Sequence, residues 1–114
     1  MEISRRKQLL AEYANRKPEM GIISLVCEAT GDVFLGTSND TKASLNGLRF
    51  KLETGSHPNR SLRELWQQYG EAGFTLSVVE VLDYEDAKAD YTQELEEMLE
   101  QHLEENKEAR RIWK

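Results

Sequence analysis

Apolar residues of this chain form short runs in its first half and recur at helical spacing further along. The segment over residues 21–36, GIISLVCEATGDVFLG, holds an apolar run, four turn-forming residues and a second apolar run. The first run is too short for a buried helix, and turn residues between two apolar runs are typical of a β-hairpin. The pattern therefore predicts strands over residues 21–28 and 33–37.

A β-hairpin alone is only marginally stable in water, so its apolar face requires a third strand or a packed helix. Residues 74–82, FTLSVVEVL, are rich in β-branched and aromatic residues, and this composition favours a third strand. The sequence thus predicts an α+β fold, in which a small antiparallel sheet of three strands is flanked by helices.

Two helices are predicted around the hairpin. Residues 4–16 form a short amphipathic segment with Ser4 as a suitable N-cap, and its simplest role is a lid packed on the sheet. After the hairpin, residues 38–41 offer several N-cap candidates for a helix that runs to about residue 54. Leucines at positions i, i+3 and i+7 give this helix a narrow apolar stripe.

Further helices are predicted over residues 61–69 and 91–105, where apolar residues again recur with a period near 3.6. Residues 106–114 are charged and end in Ile112 and Trp113. They are expected either to add a helical turn that docks an apolar anchor or to fray.

Length and composition indicate one soluble domain. The chain has 114 residues, of which 32% are charged, and no apolar run approaches the ~20 residues that a membrane span needs. Its start lacks the apolar core of a signal peptide, so a cytoplasmic location is expected. The single cysteine, Cys27, lies in a predicted strand, where a small buried side chain is the simplest interpretation.

The charge is unevenly distributed. The net charge is −6, but residues 1–63 carry +3 and residues 64–114 carry −9. An acidic chain binds nucleic acid weakly by charge alone, because this affinity comes mainly from Lys and Arg that neutralise phosphates. Any anionic partner is therefore expected to meet the first half of the chain.

Two short motifs of the hairpin, Gly21-Ile22-Ile23 and Phe34-Leu35-Gly36, resemble the split motif of the GIY-YIG nucleases, although neither signature tyrosine is present. Residues 55–74, GSHPNRSLRELWQQYGEAGF, resemble the Gly-x-His-x-Asn, leucine, tryptophan, Tyr-Gly and phenylalanine series of many members of this family. The resemblance divides a single domain into an N-terminal helical extension (1–20), a family core (21–103) and a C-terminal helical tail (104–114).

The resemblance implies a metal-dependent phosphodiester hydrolase whose cleft holds two tyrosines, an arginine, often a histidine, and a glutamate that binds Mg²⁺ or Mn²⁺. Such groups position the attacking water, stabilise the charge of the transition state and hold the ion. The first tyrosine position is Ile23, or Ser24 if the register shifts by one residue. The second is Phe34, and Ser44 occupies the arginine position.

Other residues are candidates for the remaining roles. Arg49 is the nearest arginine to the family position, but it flanks the opposite side of the apolar stripe from Ser44. His57 matches the family histidine and is either catalytic or a brace for the turn. Glu96 is the preferred metal ligand, because it borders the apolar face of its helix and its leucine context resembles that of the family.

Nucleic-acid contacts are assigned to Lys42, Arg49, Asn59 and Arg60, with an N-cap as the alternative role for Asn59. Two functions are then open. The first is a GIY-YIG-like domain with an eroded active site that acts in nucleic-acid or regulatory protein binding and needs no cofactor; DNA is the nucleic acid named as a possible partner. The second is an active, divergent endonuclease that uses Arg49, His57 and Glu96 with Mg²⁺ or Mn²⁺.

Overall fold

A computed structural model describes residues 18–86 and 89–113 of this chain. The predicted helix over 4–16 lies outside the described residues. The elements follow in this order: β1 (Met20–Cys27), β2 (Val33–Ser38), α1 (Thr41–Thr54), α2 (Arg60–Tyr69), a 3₁₀ turn (Glu71–Gly73), β3 (Phe74–Leu82), α3 (Thr92–Glu105) and β4 (Arg110–Arg111). Within the described ranges, no helix has the length and apolarity to cross a membrane.

The described strands form one mixed sheet in the order β3-β1-β2-β4. Strand β1 pairs antiparallel with β2 and with β3, as the sequence predicts. The prediction of three antiparallel strands is wrong in one respect, because β4 adds a fourth strand that runs parallel to β2. The α+β class itself is confirmed.

The predicted hairpin forms around a tight turn. Gly31 adopts φ 78°, which is a left-handed conformation that glycine reaches without a steric penalty. The backbone N–H of Gly31 donates to the carbonyl of Cys27 at 2.7 Å, and the N–H of Cys27 donates to the carbonyl of Asp32 at 2.9 Å. These bonds fix the register in which Ile23 lies opposite Gly36.

Alternate residues of β1 and β2 enter different cores on the two faces of the sheet, because side chains alternate along a strand. Ile23, Leu25 and Phe34 pack with leucines and Trp66 of α1 and α2. Ile22 and Leu35 instead pack with Leu99 of α3. The sheet is thus covered by α1 and α2 on one face and by α3 on the other.

The ends of α1 and α2 carry the signals that the sequence suggests. Asp40 caps α1 by accepting from the N–H of Ala43, and Gly55 ends this helix with φ 74°. Asn59 caps α2 by accepting from the N–H of Leu62. Each cap satisfies a backbone N–H that has no partner inside its own helix.

The end of the chain differs from the prediction of a helical tail. Helix α3 ends at Glu105, and the chain turns back to place β4 beside β2. We call residues 110–113 the C-terminal strap. Ile112 is fully buried in the core of α1 and α2, and its N–H donates to the carbonyl of Leu35 at 2.9 Å. The strap is therefore tied to β2.

Candidate nucleic-acid interface

A groove runs along β2 between α1 and α3. Its larger part has a volume of about 500 Å³ and is lined by polar residues of the β2–α1 connection, by one face of α1 and by the start of α3. A smaller pocket of about 110 Å³ adjoins it and shares Thr37 and Trp113 with it. The hydroxyl, charged and aromatic side chains that line the two parts include Ser38, Ser44, Lys51, Glu96, Arg111 and Trp113.

The residue that the resemblance places at the family arginine position faces this groove. Ser44 lies on its wall, and its hydroxyl is 2.5 Å from that of Ser38. Gly47 lies one turn further along α1, and a Cβ added there would meet no atom within 4 Å. This wall therefore offers hydroxyl groups and open space where the resemblance places a guanidinium.

The two tyrosine positions do not offer acid–base groups. Ile23 and Phe34 are fully buried in the core shared with α1 and α2. The guanidinium of Arg110 lies over the Phe34 ring at 4.7 Å from its centroid. Ser24, the alternative position for the first tyrosine, is also buried. Neither Ile23 nor Phe34 can activate water, because neither side chain carries an ionisable group.

His57 is buried, with 1% of its surface exposed. Its Nδ1 accepts a hydrogen bond of 3.0 Å from the N–H of Asn59, so the proton of the neutral ring lies on Nε2. No described residue hydrogen-bonds this Nε2. Burial, followed by the nearby charges of Lys51 and Arg63, lowers the pKa of His57 to about 4. The imidazole is therefore neutral at neutral pH.

The indole of Trp113 stacks on His57, with ring centroids 4.6 Å apart and planes inclined at 21°. The Lys51 ammonium lies 4.8 Å from the Trp113 ring centroid, within the range of a cation–π contact. Trp113 thus links the candidate histidine to a cation of the groove.

Asn59 combines its cap with contacts to the strap. While its Oδ1 accepts from the N–H of Leu62 at 3.2 Å, its Nδ2 donates to the carbonyls of Arg111 and Ile112, both at 3.1 Å. A buried asparagine that satisfies one N–H and two carbonyls stabilises both segments, because each of these groups would be costly to leave unpaired. The structure therefore gives Asn59 the cap role and a contact with the strap that the sequence did not reveal.

Glu96 faces the smaller pocket, and its Oε1 lies 2.5 Å from Nη1 of Arg111. Among the residues that the structure describes, no three His, Cys, Asp or Glu side chains are grouped to hold a metal ion. A cation already pairs with the proposed metal ligand, so the residues around Glu96 do not fit a divalent ion as they stand. The resemblance to the GIY-YIG nucleases implies such an ion, but this donor set does not supply its coordination.

The remaining candidates lie outside the set that lines the groove. Arg49 pairs with Glu71 at 3.2 Å, and Arg60 pairs with Glu64 at 3.0 Å; all four side chains are well exposed. Lys42 is exposed near the start of α1. The structure thus brings His57, Asn59 and Glu96 to the strap. It leaves Lys42, Arg49 and Arg60 apart from them.

Sequence reasoning missed Lys51 and Arg111 and treated Trp113 only as an apolar anchor. A helical tail would not place these residues together, so the prediction of such a tail concealed the site. No local signal marks this extended segment, because residues 110–113 read Arg-Arg-Ile-Trp and show no alternation of polar and apolar positions.

Comparison with known proteins supports a GIY-YIG-like fold. The catalytic domain of the homing endonuclease I-TevI is similar to this chain with a TM-score of 0.67 and 19% identity, over 83% of this chain and 99% of that domain. A mutant of the catalytic domain of this intron endonuclease gives the same TM-score with 20% identity, over 82% and 93%. No family model matches the chain, and no curated protein matches it. The described structure thus has a fold similar to that of this endonuclease domain.

Proposed function

We propose that this chain is a nuclease-like domain that binds nucleic acid in the groove along β2 and does not cleave it. The observation that carries this proposal is the engagement of the candidate catalytic groups by the strap. Arg111 pairs with Glu96, and Trp113 stacks on His57.

The loss of catalysis is supported by the chemistry of each position. Removal of one positioned acid, base or charge-stabilising donor commonly costs on the order of 10²–10⁴ in rate. Here Ile23, Phe34 and Ser44 replace two phenols and a guanidinium. Rate losses of this size at three positions would leave little of the phosphodiester hydrolysis that the resemblance implies.

Binding is supported by the groove that remains. Lys51 and Arg111 contribute cations, and Ser38, Ser44 and Thr37 contribute hydroxyls or backbone groups along the same walls. Phosphate oxygens are bound in proteins mainly by such groups. The groove walls carry two cations and two carboxylates, Asp40 and Glu96. Such a wall predicts weak, salt-sensitive binding of DNA, because few phosphates are neutralised.

A second candidate is an active endonuclease that uses Arg49, His57 and Glu96 with Mg²⁺ or Mn²⁺. It is favoured by the likeness to catalytic domains of an endonuclease. This candidate requires the strap to leave Glu96 and His57 before a substrate arrives, so it predicts metal-dependent products.

The binding proposal is tested by fluorescence anisotropy with labelled single-stranded, duplex and branched DNA at low salt. We expect at least one form to bind, with an affinity that falls steeply as salt is added. Lys51→Ala should weaken binding about threefold to tenfold, since it removes a cation that lines the groove.

Arg60→Ala is the matched control, because it also removes one exposed cation but outside the groove. Equal losses for the two variants would show that contact is not made in the groove. If no form of DNA binds even at low salt, the proposal fails and a protein partner becomes the remaining function for this fold.

A further inference from the structure

We infer that the Arg111 guanidinium takes the place of a divalent metal ion at Glu96, so that this site binds a phosphodiester without metal. The family resemblance implies a cation held by this carboxylate next to the substrate phosphate. The chain itself supplies a cation there, 2.5 Å from Glu96 Oε1.

The guanidinium is held by a fixed element of the fold. Asn59 binds the backbone carbonyl of Arg111, and the N–H of Ile112 binds β2. The buried Ile112 side chain also packs on Gly36, with its Cδ1 3.1 Å from the point where a Cβ of that glycine would lie. The strap therefore sets the position of Arg111 through backbone contacts that do not involve its charge.

The Arg111 side chain retains capacity for a ligand. A guanidinium has five N–H donors, and Arg111 approaches Glu96 Oε1 through Nη1. The side chains of Arg111 and Glu96 are each 42% exposed, and both line the small pocket together with Gly36 and Thr37. Because planar N–H donors match the oxygens of a phosphate, a phosphodiester is the ligand class that this pocket fits.

The charge at the site distinguishes this arrangement from a metal site. A divalent ion on one carboxylate leaves a net charge of +1, whereas a guanidinium on one carboxylate leaves zero. Glu96 therefore weakens the attraction of Arg111 for phosphate. In a metal site, by contrast, the glutamate would hold the ion that attracts the phosphate. The two arrangements therefore predict opposite effects of Glu96→Gln on the binding of phosphate.

The first experiment needs no nucleic acid. Mn²⁺ is added to ¹⁵N-labelled protein, and paramagnetic broadening is read at the amides of Gly36 and Thr37, which line the pocket opposite α3. The wild-type amides should stay sharp, because Arg111 occupies the carboxylate. Arg111→Gln should broaden them at high Mn²⁺, because the freed carboxylate attracts the ion weakly even without a full set of ligands. The double variant Arg111→Gln, Glu96→Gln should restore sharp signals.

Arg111→Lys is the matched control: it keeps one positive charge beside Glu96 and should exclude Mn²⁺ as the wild type does. Broadening of Gly36 and Thr37 in the wild type equal to that in Arg111→Gln would overturn the inference. If Arg111→Gln does not fold, the wild-type spectrum and the next experiment still decide the question.

The second experiment concerns phosphate and rests on the proposed function. In EDTA, Glu96→Gln should bind labelled DNA about threefold to tenfold more tightly than the wild type, because Arg111 loses its neutralising partner. Weaker binding of Glu96→Gln would contradict the inference. Absence of all DNA binding would defeat the proposed function instead, and the Mn²⁺ result would still report whether Arg111 holds the metal position.

Discussion

His57 shows how one position of a family motif changes its chemistry when its surroundings change. The residue matches the histidine of the resemblance, but its ring is buried between the turn before α2 and the Trp113 indole. Burial favours the neutral form of an imidazole, since the charged form loses its hydration. A neutral ring covered by an indole is suited to packing in the folded chain.

The lowered pKa of His57 predicts a pH dependence of folding. The unfolded ring takes up a proton below about pH 6.5, whereas the folded ring resists it until about pH 4. The contribution of His57 to the free energy of unfolding is therefore fully present well above pH 6.5. It is lost as the pH decreases through 6.5 toward 4, by up to about 3 kcal/mol. Urea unfolding at several pH values, with an NMR titration of the ring, measures both quantities.

His57→Gln should remove this part of the pH dependence. His102→Gln is the control, because His102 is the other histidine of the chain and contacts Glu80 on the opposite side of the sheet from His57. A titration midpoint of the His57 ring near 6.5 would contradict the burial argument.

At the scale of elements, the sequence predicts the strands and helices that neighbouring residues specify by their pattern. The hairpin, the third strand and the leucine stripe of α1 follow from periodicity and turn residues, and Leu48 and Leu52 are buried as the stripe requires. Periodicity is a property of neighbouring residues, so it needs no knowledge of the partner surface.

The strap could not be predicted in the same way. Strand β4 has two residues, which is too short for a period-two pattern, and it pairs with Phe34 and Leu35 far away in the sequence. Its position depends on the hydrogen bonds of Asn59 and on the buried Ile112. These are long-range contacts, which a local sequence pattern does not reveal. By its local pattern alone, the segment after α3 is equally compatible with a helical tail or a frayed chain.

Asn59 is the residue that joins α2 to the strap. Asn59→Ala should destabilise the fold by about 2 to 4 kcal/mol, because it removes a helix cap and leaves one buried and one partly buried carbonyl of the strap without their donor. Urea unfolding measures the loss, and hydrogen exchange of the Ile112 amide reports the strap directly. Protection of this amide should fall in the variant.

Asn46→Ala is the matched control for this prediction, since Asn46 is exposed in the middle of α1. Its effect should be within about 0.5 kcal/mol. If Asn59→Ala also stays within that range and the Ile112 amide keeps its protection, Asn59 does not hold the strap.

At the scale of the whole molecule, charge and fold together restrict the function. The chain has a net charge of −6, and several of its arginines are already paired with carboxylates. Such a surface gives little general attraction for nucleic acid, so the proposed binding would depend on a few cations placed in a groove. Similarity to an endonuclease domain at 19% to 20% identity fixes the fold and leaves the chemistry to the residues of this chain.

The central claim is that this nuclease-like fold binds without cutting. Its most direct test is one gel, on which labelled single-stranded, duplex and branched DNA are incubated with the protein in Mg²⁺, Mn²⁺ or EDTA. The account predicts that each DNA keeps its length under all three conditions. Products that require Mg²⁺ or Mn²⁺ and disappear with Glu96→Ala would contradict it and establish a working endonuclease.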